Sequence, residues 1–170
     1  MVVVTSRAVK TEAVVLRSMR YGEADRILHL YTPNRGRVSA IAKGVRRARS
    51  RFGGRLEPFF RLHIELHEGR GELLTVTGAQ TIDAHASLRG DARALDAAAR
   101  ACDAVGRLFE TSEPHPGVFN LLCRQLALLN ERADTDERDR RAGTDGRSGS
   151  ARAISRRSGR VSADAIARTT

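Results

Sequence analysis

Between residues 11 and 84, five short segments with strand character alternate with turn sequences, and none has the period of a helix. Residues 60–67 show the pattern most clearly, because large apolar and polar side chains alternate there, as in a strand buried on one face. The sequence PNRG at 33–36 is a strong hairpin signal. The predicted strands are 12–19, 26–32, 37–43, 60–67 and 73–77.

Five short strands within one segment predict a small β barrel, and the OB-fold is the commonest barrel of this size. An SH3-like barrel fits the same pattern. After residue 84 the apolar period lengthens to three and four residues, which predicts a helix over 91–110. The segment 112–117 interrupts it, and a second helix follows with Pro116 near its start. These two helices could cover one end of the barrel.

Beyond Asn130 the composition changes abruptly. Ile154, Val161 and Ile166 are the large aliphatic residues of 131–170, where arginine, aspartate, glycine, serine and alanine dominate. Such a segment buries too little apolar surface to offset the entropy lost on ordering, so we predict that it is disordered. The predicted organisation is β barrel plus α, with an OB-fold over 1–84, a partial helical domain over 85–130 and a disordered basic tail over 131–170.

Residues 35–55 hold eight cations and no carboxylate. Surface segments ordinarily mix both signs, so this basic run indicates a polyanionic partner, although a solvated charged loop is the alternative. We expect a loop that is flexible at its glycines (44 and 53–54) and follows a phosphate backbone. If about five cations meet phosphates, single-strand affinity should fall with salt at a log–log slope of roughly −3.5. The eight candidates are Arg35, Arg37, Lys43, Arg46, Arg47, Arg49, Arg51 and Arg55.

Two further observations bear on this basic run. The net charge of +10 comes almost entirely from arginine, a bias that a GC-rich genome produces, so the clustering is the stronger signal. Aromatic rings near the cations would allow unpaired bases to stack, although such rings are as often part of a core. The nearby aromatic residues are Tyr21, Tyr31, Phe52 and Phe59.

Catalytic and metal-binding patterns are weak in this sequence. His63 and His67 lie four residues apart on a predicted strand, which separates them by about 13 Å and prevents them from sharing one ion. Glu23 and Asp25 flank a turn and are interpreted as solvated residues or ion-pair partners. No phosphate-binding glycine motif occurs. We therefore expect a protein that is not an enzyme and has no cofactor or metal.

Two cysteines, Cys102 and Cys123, fall within helical patterns and predict buried packing residues rather than zinc or redox chemistry. No segment is long and apolar enough for a signal peptide or a membrane span. The expected location is the reducing cytoplasm, in association with the nucleoid.

The motifs AVVLR, YGEAD, TPNRGR, AKGVRR and LEPF occur in this order within residues 13–59, and LLTVTGAQTIDAHASLRGD and FNLLCRQLALLNE follow them. As an ordered set, these motifs resemble the RecO family of recombinational DNA repair proteins. The resemblance covers residues 11 to about 130. It implies an N-terminal OB-fold followed by a helical domain, and it places the family's basic surface on the eight candidate cations.

The same resemblance implies a function without catalytic turnover. It implies binding of single- and double-stranded DNA, annealing of complementary strands, and mediation of RecA loading together with RecR at DNA coated by single-strand binding protein. Family members continue with further apolar helices and often a four-cysteine zinc module, whereas this chain has neither after Asn130. We hypothesise a reading-frame shift there, which would leave a truncated helical domain with partly uncovered apolar faces and would affect the contact with single-strand binding protein.

Three other functions fit the residues taken alone. An RNA- or ribosome-binding OB module would carry the same barrel and charge. A nuclease would use Glu23 and Asp25 with Mg²⁺. A truncated product would have no working function.

Overall fold

The computed structural model describes residues 8–47, 50, 52, 54–69, 71 and 73–154, with side chains as far as residue 142. Five strands are followed by one short 3₁₀ helix and two α-helices. The strands are β1 (Ala8–Tyr21), β2 (Asp25–Thr32), β3 (Gly36–Ala42), β4 (Arg61–His67) and β5 (Leu74–Asp83). The helices are the 3₁₀ helix (Ala86–Gly90), α1 (Ala92–Leu108) and α2 (Pro116–Ile154).

The five strands form a closed barrel in the order β1-β2-β3-β5-β4. The long strand β1 pairs with both β2 and β4, and β3 and β5 pair in parallel through Ala40 with Leu74 and Ile41 with Thr75. A five-stranded barrel that departs from simple up-and-down order is the OB-fold architecture. The predicted fold class is therefore confirmed. The 3₁₀ helix had no counterpart in the prediction.

Strand β1 contributes to two cores because its side chains alternate between faces. Ala13 and Val15 point into the barrel, whereas Val14 and Leu16 lie on its outer side. The pairing of β1 with β2 shifts register between Val15 and Arg17, which marks a β-bulge. The barrel core is filled by aliphatic side chains from all five strands, together with Phe52 and Leu56 from the loop between β3 and β4.

The outer core joins the two helices to the barrel. Val14, Leu16 and Tyr31 pack with apolar side chains of both helices, which therefore cover the outer side of β1 and β2. Full burial of each large aliphatic side chain contributes about 1.5–3 kcal/mol. The helical members include Ala94, Ala98, Cys102, Phe119, Leu122, Leu126 and Leu129.

Both helices begin where the sequence indicates. The carboxylate of Asp91 accepts hydrogen bonds from the backbone N–H groups of Arg93 and Ala94, which caps α1. Helix α2 begins at Pro116, a residue that suits the first helical position because its missing N–H would have no partner there.

Helix α2 continues past Asn130 to Ile154. The disordered tail expected over 131–170 stays a prediction, and residues 155–170 lie outside the described part. Within the extension, Glu137 and Arg141 form an ion pair at i,i+4 spacing, which favours a helix by about 0.2–0.5 kcal/mol. The chain divides into two compact units, 1–134 and 135–170, and the described part of the second is this helical extension. The boundaries predicted at 84 and 130 stay predictions.

The two helices expose large apolar side chains. Leu108 at the end of α1 is 77% exposed and Leu121 on α2 is 68% exposed, and Leu128 lies one heptad further along α2 and is also exposed. These positions agree with the expectation of partly uncovered apolar helix faces. None of the helices within the described ranges is long and apolar enough to cross a membrane.

Candidate nucleic-acid interface

Strand β3 divides the basic run into two groups. Arg35 and Arg37 lie at its beginning, beside the β2–β3 turn, whereas Lys43 follows its last residue. Because a strand rises about 3.3 Å per residue, Arg37 and Lys43 are separated by about 20 Å. The eight candidate cations are consecutive in sequence but do not form one compact patch.

The first two cations have partners inside the molecule. The Arg35 guanidinium forms an ion pair with Glu68 at 2.5 Å, which links the β2–β3 turn to the β4–β5 loop. Arg37 Nη1 donates a hydrogen bond to the carbonyl oxygen of Gly106 at 2.9 Å, which links β3 to α1. Both side chains stabilise the fold. The Glu68 carboxylate partly neutralises the charge of Arg35, whereas the carbonyl of Gly106 holds the Arg37 guanidinium in place without removing its charge.

The β3–β4 loop, residues 43–60, starts at the other end of the barrel and is attached there to the β1–β2 turn. The N–H of Gly44 donates to Asp25 Oδ1 at 2.8 Å, and the N–H of Arg46 donates to the carbonyl of Ala24 at 3.0 Å. Gly44 has φ +67°, a conformation that favours glycine. This attachment brings the start of the basic loop next to the end of β1.

Apolar side chains also fasten the loop to the barrel. Phe52 and Leu56 are fully buried in the barrel core, and Val45 packs against it. The expectation of a loop flexible at Gly44 and 53–54 did not include these anchors. Gly53 lies outside the described residues.

The remaining described cations of the run are exposed. Lys43, Arg46 and Arg47 lie at the start of the loop, and their side chains make no ion pair or hydrogen bond within the described ranges. Arg55 is exposed near the other end of the loop. Arg49 and Arg51 lie outside the described residues. Three neighbouring cations without internal neutralisation are the part of the run best suited to a phosphate backbone.

The four candidate aromatic residues have different environments. Tyr21, the last residue of β1, is 53% exposed. Tyr31 and Phe52 are buried in the two cores, and Phe59 is half-buried with φ +72° and donates its N–H to the carbonyl of Val15. Tyr21 is thus the ring of this group whose faces a ligand can reach.

The acidic and histidine residues considered above for catalysis or metal binding lie in turns and strands of the fold. Asp25 holds Gly44 of the basic loop, and Glu23 is exposed in the turn. His63 and His67 lie on β4 as strand residues, as expected. Within the described ranges no cluster of three or more His, Cys, Asp or Glu side chains could hold a metal ion.

The two thiols are poorly suited to nucleophilic chemistry. Burial raises the pKa of Cys102 to about 12, and burial also raises the pKa of Cys123. Because the thiolate is the reactive form, both residues act as small apolar packing groups at neutral pH. The prediction of buried helix cysteines is confirmed for Cys102, and Cys123 is partly buried.

One group of side chains was missed by sequence reasoning. Arg17, His29 and Ser39 lie opposite one another on β1, β2 and β3, and His29 Nδ1 is 3.1 Å from Ser39 Oγ. Burial, then the charges of Arg37 and Arg17, lowers the pKa of His29. The signal was present in the sequence, because these residues alternate with core positions. Their grouping depends on strand register, which the β-bulge in β1 shifts.

Comparison with known proteins points to one family for the barrel. A family model described as recombination protein O N terminal matches residues 6–85. The DNA repair protein RecO of Rubrobacter xylanophilus is 46% identical over 124 residues, which cover 72% of this chain and 48% of that protein. RecO of Bifidobacterium adolescentis is 45% identical over 124 residues, covering 72% and 50%. RecO of Anaeromyxobacter dehalogenans is 41% identical over 123 residues, covering 72% and 48%.

The chain spans about half the length of these curated relatives. The matched region includes the barrel, where the basic loop is held between the β1–β2 turn and the barrel core. By this match and by the fold that carries it, residues 6–85 belong to the N-terminal domain family of RecO proteins.

Proposed function

We propose that this chain is a DNA-binding protein of recombinational repair without catalytic turnover. It binds single- and double-stranded DNA through the start of the β3–β4 loop and anneals complementary strands. The observation that carries the proposal is the group of three exposed cations, Lys43, Arg46 and Arg47, which have no internal ion pair within the described ranges. A phosphate backbone would neutralise them and release counterions.

The attachment of this loop supports the proposal. Hydrogen bonds to Ala24 and Asp25 hold the backbone of the cations in place before DNA arrives. A held loop loses less conformational entropy on binding than a free one. The eight candidate residues would then have unequal roles, since Arg35 and Arg37 are engaged by Glu68 and Gly106.

The proposed partners rest on the similarity to RecO proteins. The chain would act with RecR at DNA coated by single-strand binding protein and would help RecA to load there. It would work in the cytoplasm, in association with the nucleoid. Any contact with single-strand binding protein would depend on how much of the family's helical domain is present, because residues 85–154 supply two long helices here.

The test compares the full chain with the triple variant K43A/R46A/R47A. DNA binding is measured by fluorescence anisotropy with a labelled single strand over a range of salt, and annealing is measured with two complementary labelled strands. Because each phosphate contact on a single strand contributes about 0.7 to the log–log salt slope, the variant should have a slope smaller by about 2. Its annealing rate should fall in parallel.

The matched control is R93A/R124A/R132A, which removes the same charge from exposed helical positions. This control should keep most of the slope. Equal slopes for the wild-type chain and the loop variant would overturn the proposal. A matched RNA oligomer that binds more tightly than the DNA would favour the RNA-binding alternative.

A further inference from the structure

Helix α2 carries a second apolar face on the side that points away from the outer core. Its buried residues, among them Leu122, Leu126 and Leu129, belong to that core. Leu121 and Leu128 are 68% and 46% exposed and belong to neither core. Because they lie seven residues apart, they are on nearly the same side of the helix. Two large apolar side chains on one side of α2 are therefore accessible to solvent.

Two opposite charges lie beside these leucines with the same spacing. Arg124 and Glu131 are exposed and are also seven residues apart, three residues after Leu121 and Leu128 respectively. The two charged residues are separated by about 10.5 Å along the helix axis. The Arg124 guanidinium makes no ion pair or hydrogen bond within the described ranges. One exposed face of α2 thus combines two apolar side chains with a cation and an anion.

This face is complementary to itself when two copies of the helix lie antiparallel. A two-fold axis between residues 127 and 128 places Arg124 of each copy opposite Glu131 of the other copy, because the two residues lie at equal distances on either side of the axis. It also brings the two Leu128 side chains together at the centre. The pairing forms two ion pairs around one apolar contact, the self-complementary arrangement of a two-fold interface. Parallel helices would instead place like charges opposite each other, which is unfavourable.

We propose that this chain forms an antiparallel homodimer through the face of α2 that carries Leu121, Arg124, Leu128 and Glu131. A second copy is inferred from charge complementarity, since a partner of uniform charge would leave either Arg124 or Glu131 opposite a like charge. The face is small, so the dimer belongs to the weak class of interfaces and forms at micromolar concentrations. It presents two basic loops, one for each strand of an annealing pair, and this last consequence alone rests on the proposed function.

The mass of the full chain, measured without DNA, tests the dimer. Sedimentation equilibrium over a range of concentrations should give a mass that rises from 18.6 kDa towards twice that value. The variant L128E places two negative charges at the centre of the apolar contact and should remain a monomer at all of these concentrations. The control I82E changes an exposed isoleucine on β5 and should dimerise as the wild-type chain does.

Charge reversal tests the antiparallel arrangement itself. R124E and E131R should each weaken the dimer by about tenfold or more, because each replaces two attractive contacts with two repulsive ones. The double variant R124E/E131R restores opposite charges across the interface and should dimerise as the wild-type chain does. R93E is the control, since it reverses an exposed charge on α1, and it should leave the dimer unchanged.

The outcomes separate the dimer from the proposed function. A wild-type chain that is monomeric at every concentration would overturn the dimer, whether or not it binds DNA, and would assign the face to a different partner. If R124E/E131R dimerised as weakly as the single variants, the antiparallel pairing would be wrong, even if L128E did not fold. A dimeric chain that binds no DNA would contradict the proposed function and leave the dimer intact.

Discussion

The two ends of strand β3 carry similar charge but use it differently. At the beginning of the strand, Arg35 is paired with Glu68 and Arg37 is hydrogen-bonded to Gly106 of α1. Just past its end, Lys43, Arg46 and Arg47 are exposed and have no such partner within the described ranges. The first group joins parts of the fold, and the second faces solvent. A run of cations in a sequence therefore shows how many charges are present, but it does not show which of them are available to a ligand.

Substitution of the glycines at the two ends of β3 should have the largest effect among the variants that test this difference. Gly36 has φ +55°, and an added Cβ would lie 2.2 Å from the carbonyl oxygen of Glu113, a backbone atom that cannot move alone. Gly44 has φ +67°, but its nearest neighbour would be the Arg47 side chain at 3.6 Å. We expect Gly36→Ala to lower the free energy of unfolding by about 3 kcal/mol and Gly44→Ala by about 1 kcal/mol.

Urea denaturation of both variants measures this difference. The pair is matched, because each glycine has positive φ and each substitution adds one methyl group. Equal destabilisation would mean that the close approach of residue 113 to the β2–β3 turn does not constrain the fold.

Single arginine substitutions should separate stability from binding. Arg37→Ala removes a charge-assisted hydrogen bond and should lower the free energy of unfolding by about 2 kcal/mol. Arg46→Ala should leave stability within about 0.5 kcal/mol of the wild-type chain, while it reduces the single-strand salt slope by about 0.7. Denaturation and anisotropy titrations on the same preparations give both numbers.

If Arg37→Ala affected DNA binding and Arg46→Ala affected stability, the proposed division of the basic run into fold-stabilising and DNA-binding cations would be wrong. Arg37→Ala with a large loss of salt slope and no loss of stability would show that its guanidinium is available to DNA. The double variant R37A/R46A should show the sum of the two effects, because the residues share no partner.

The smallest expected effect concerns His29, which lies near the internally engaged Arg37. Burial, then the charges of Arg37 and Arg17, lowers the pKa of His29 below 6.5. The unfolded state then binds the proton more readily, so stability is complete above the unfolded pKa and decreases as the pH falls below it. His29→Gln should reduce this decrease in thermal-unfolding measurements across that range.

His63→Gln is the control for the pH effect, since His63 is exposed on β4. The control should retain the full decrease of stability. If His29→Gln and His63→Gln behaved alike, the environment assigned to His29 would be incorrect.

Much of the barrel was predictable because its signals are local. Alternation over 60–67 follows from the two faces of a strand, and the predicted strands overlap all five observed ones. Beyond Asn130 the local signals are weaker, because the low apolar content leaves little surface to bury. Ala133 still lies in the outer core, and an i,i+4 ion pair such as that of Glu137 with Arg141 favours helix by only about 0.2–0.5 kcal/mol. The disorder expected for 131–170 stays a prediction.

The candidate site was predictable only in part. The eight cations were found from their clustering, but their division into two groups depends on Glu68 and Gly106, which are distant in sequence. The row of Met19, Ile27 and Ile41 on the outer side of the barrel was not found, because these residues come from three strands and meet only through their register.

The amino-acid sequence by itself determined the strand periodicity, the helix starts at Asp91 and Pro116, and the presence of a run of like charge. These properties depend on neighbours within a few residues, where side-chain direction and capping decide the outcome. The tertiary structure alone decided which cations are neutralised and which outer residues lie side by side. Both depend on barrel closure and register, which bring distant groups within contact distance.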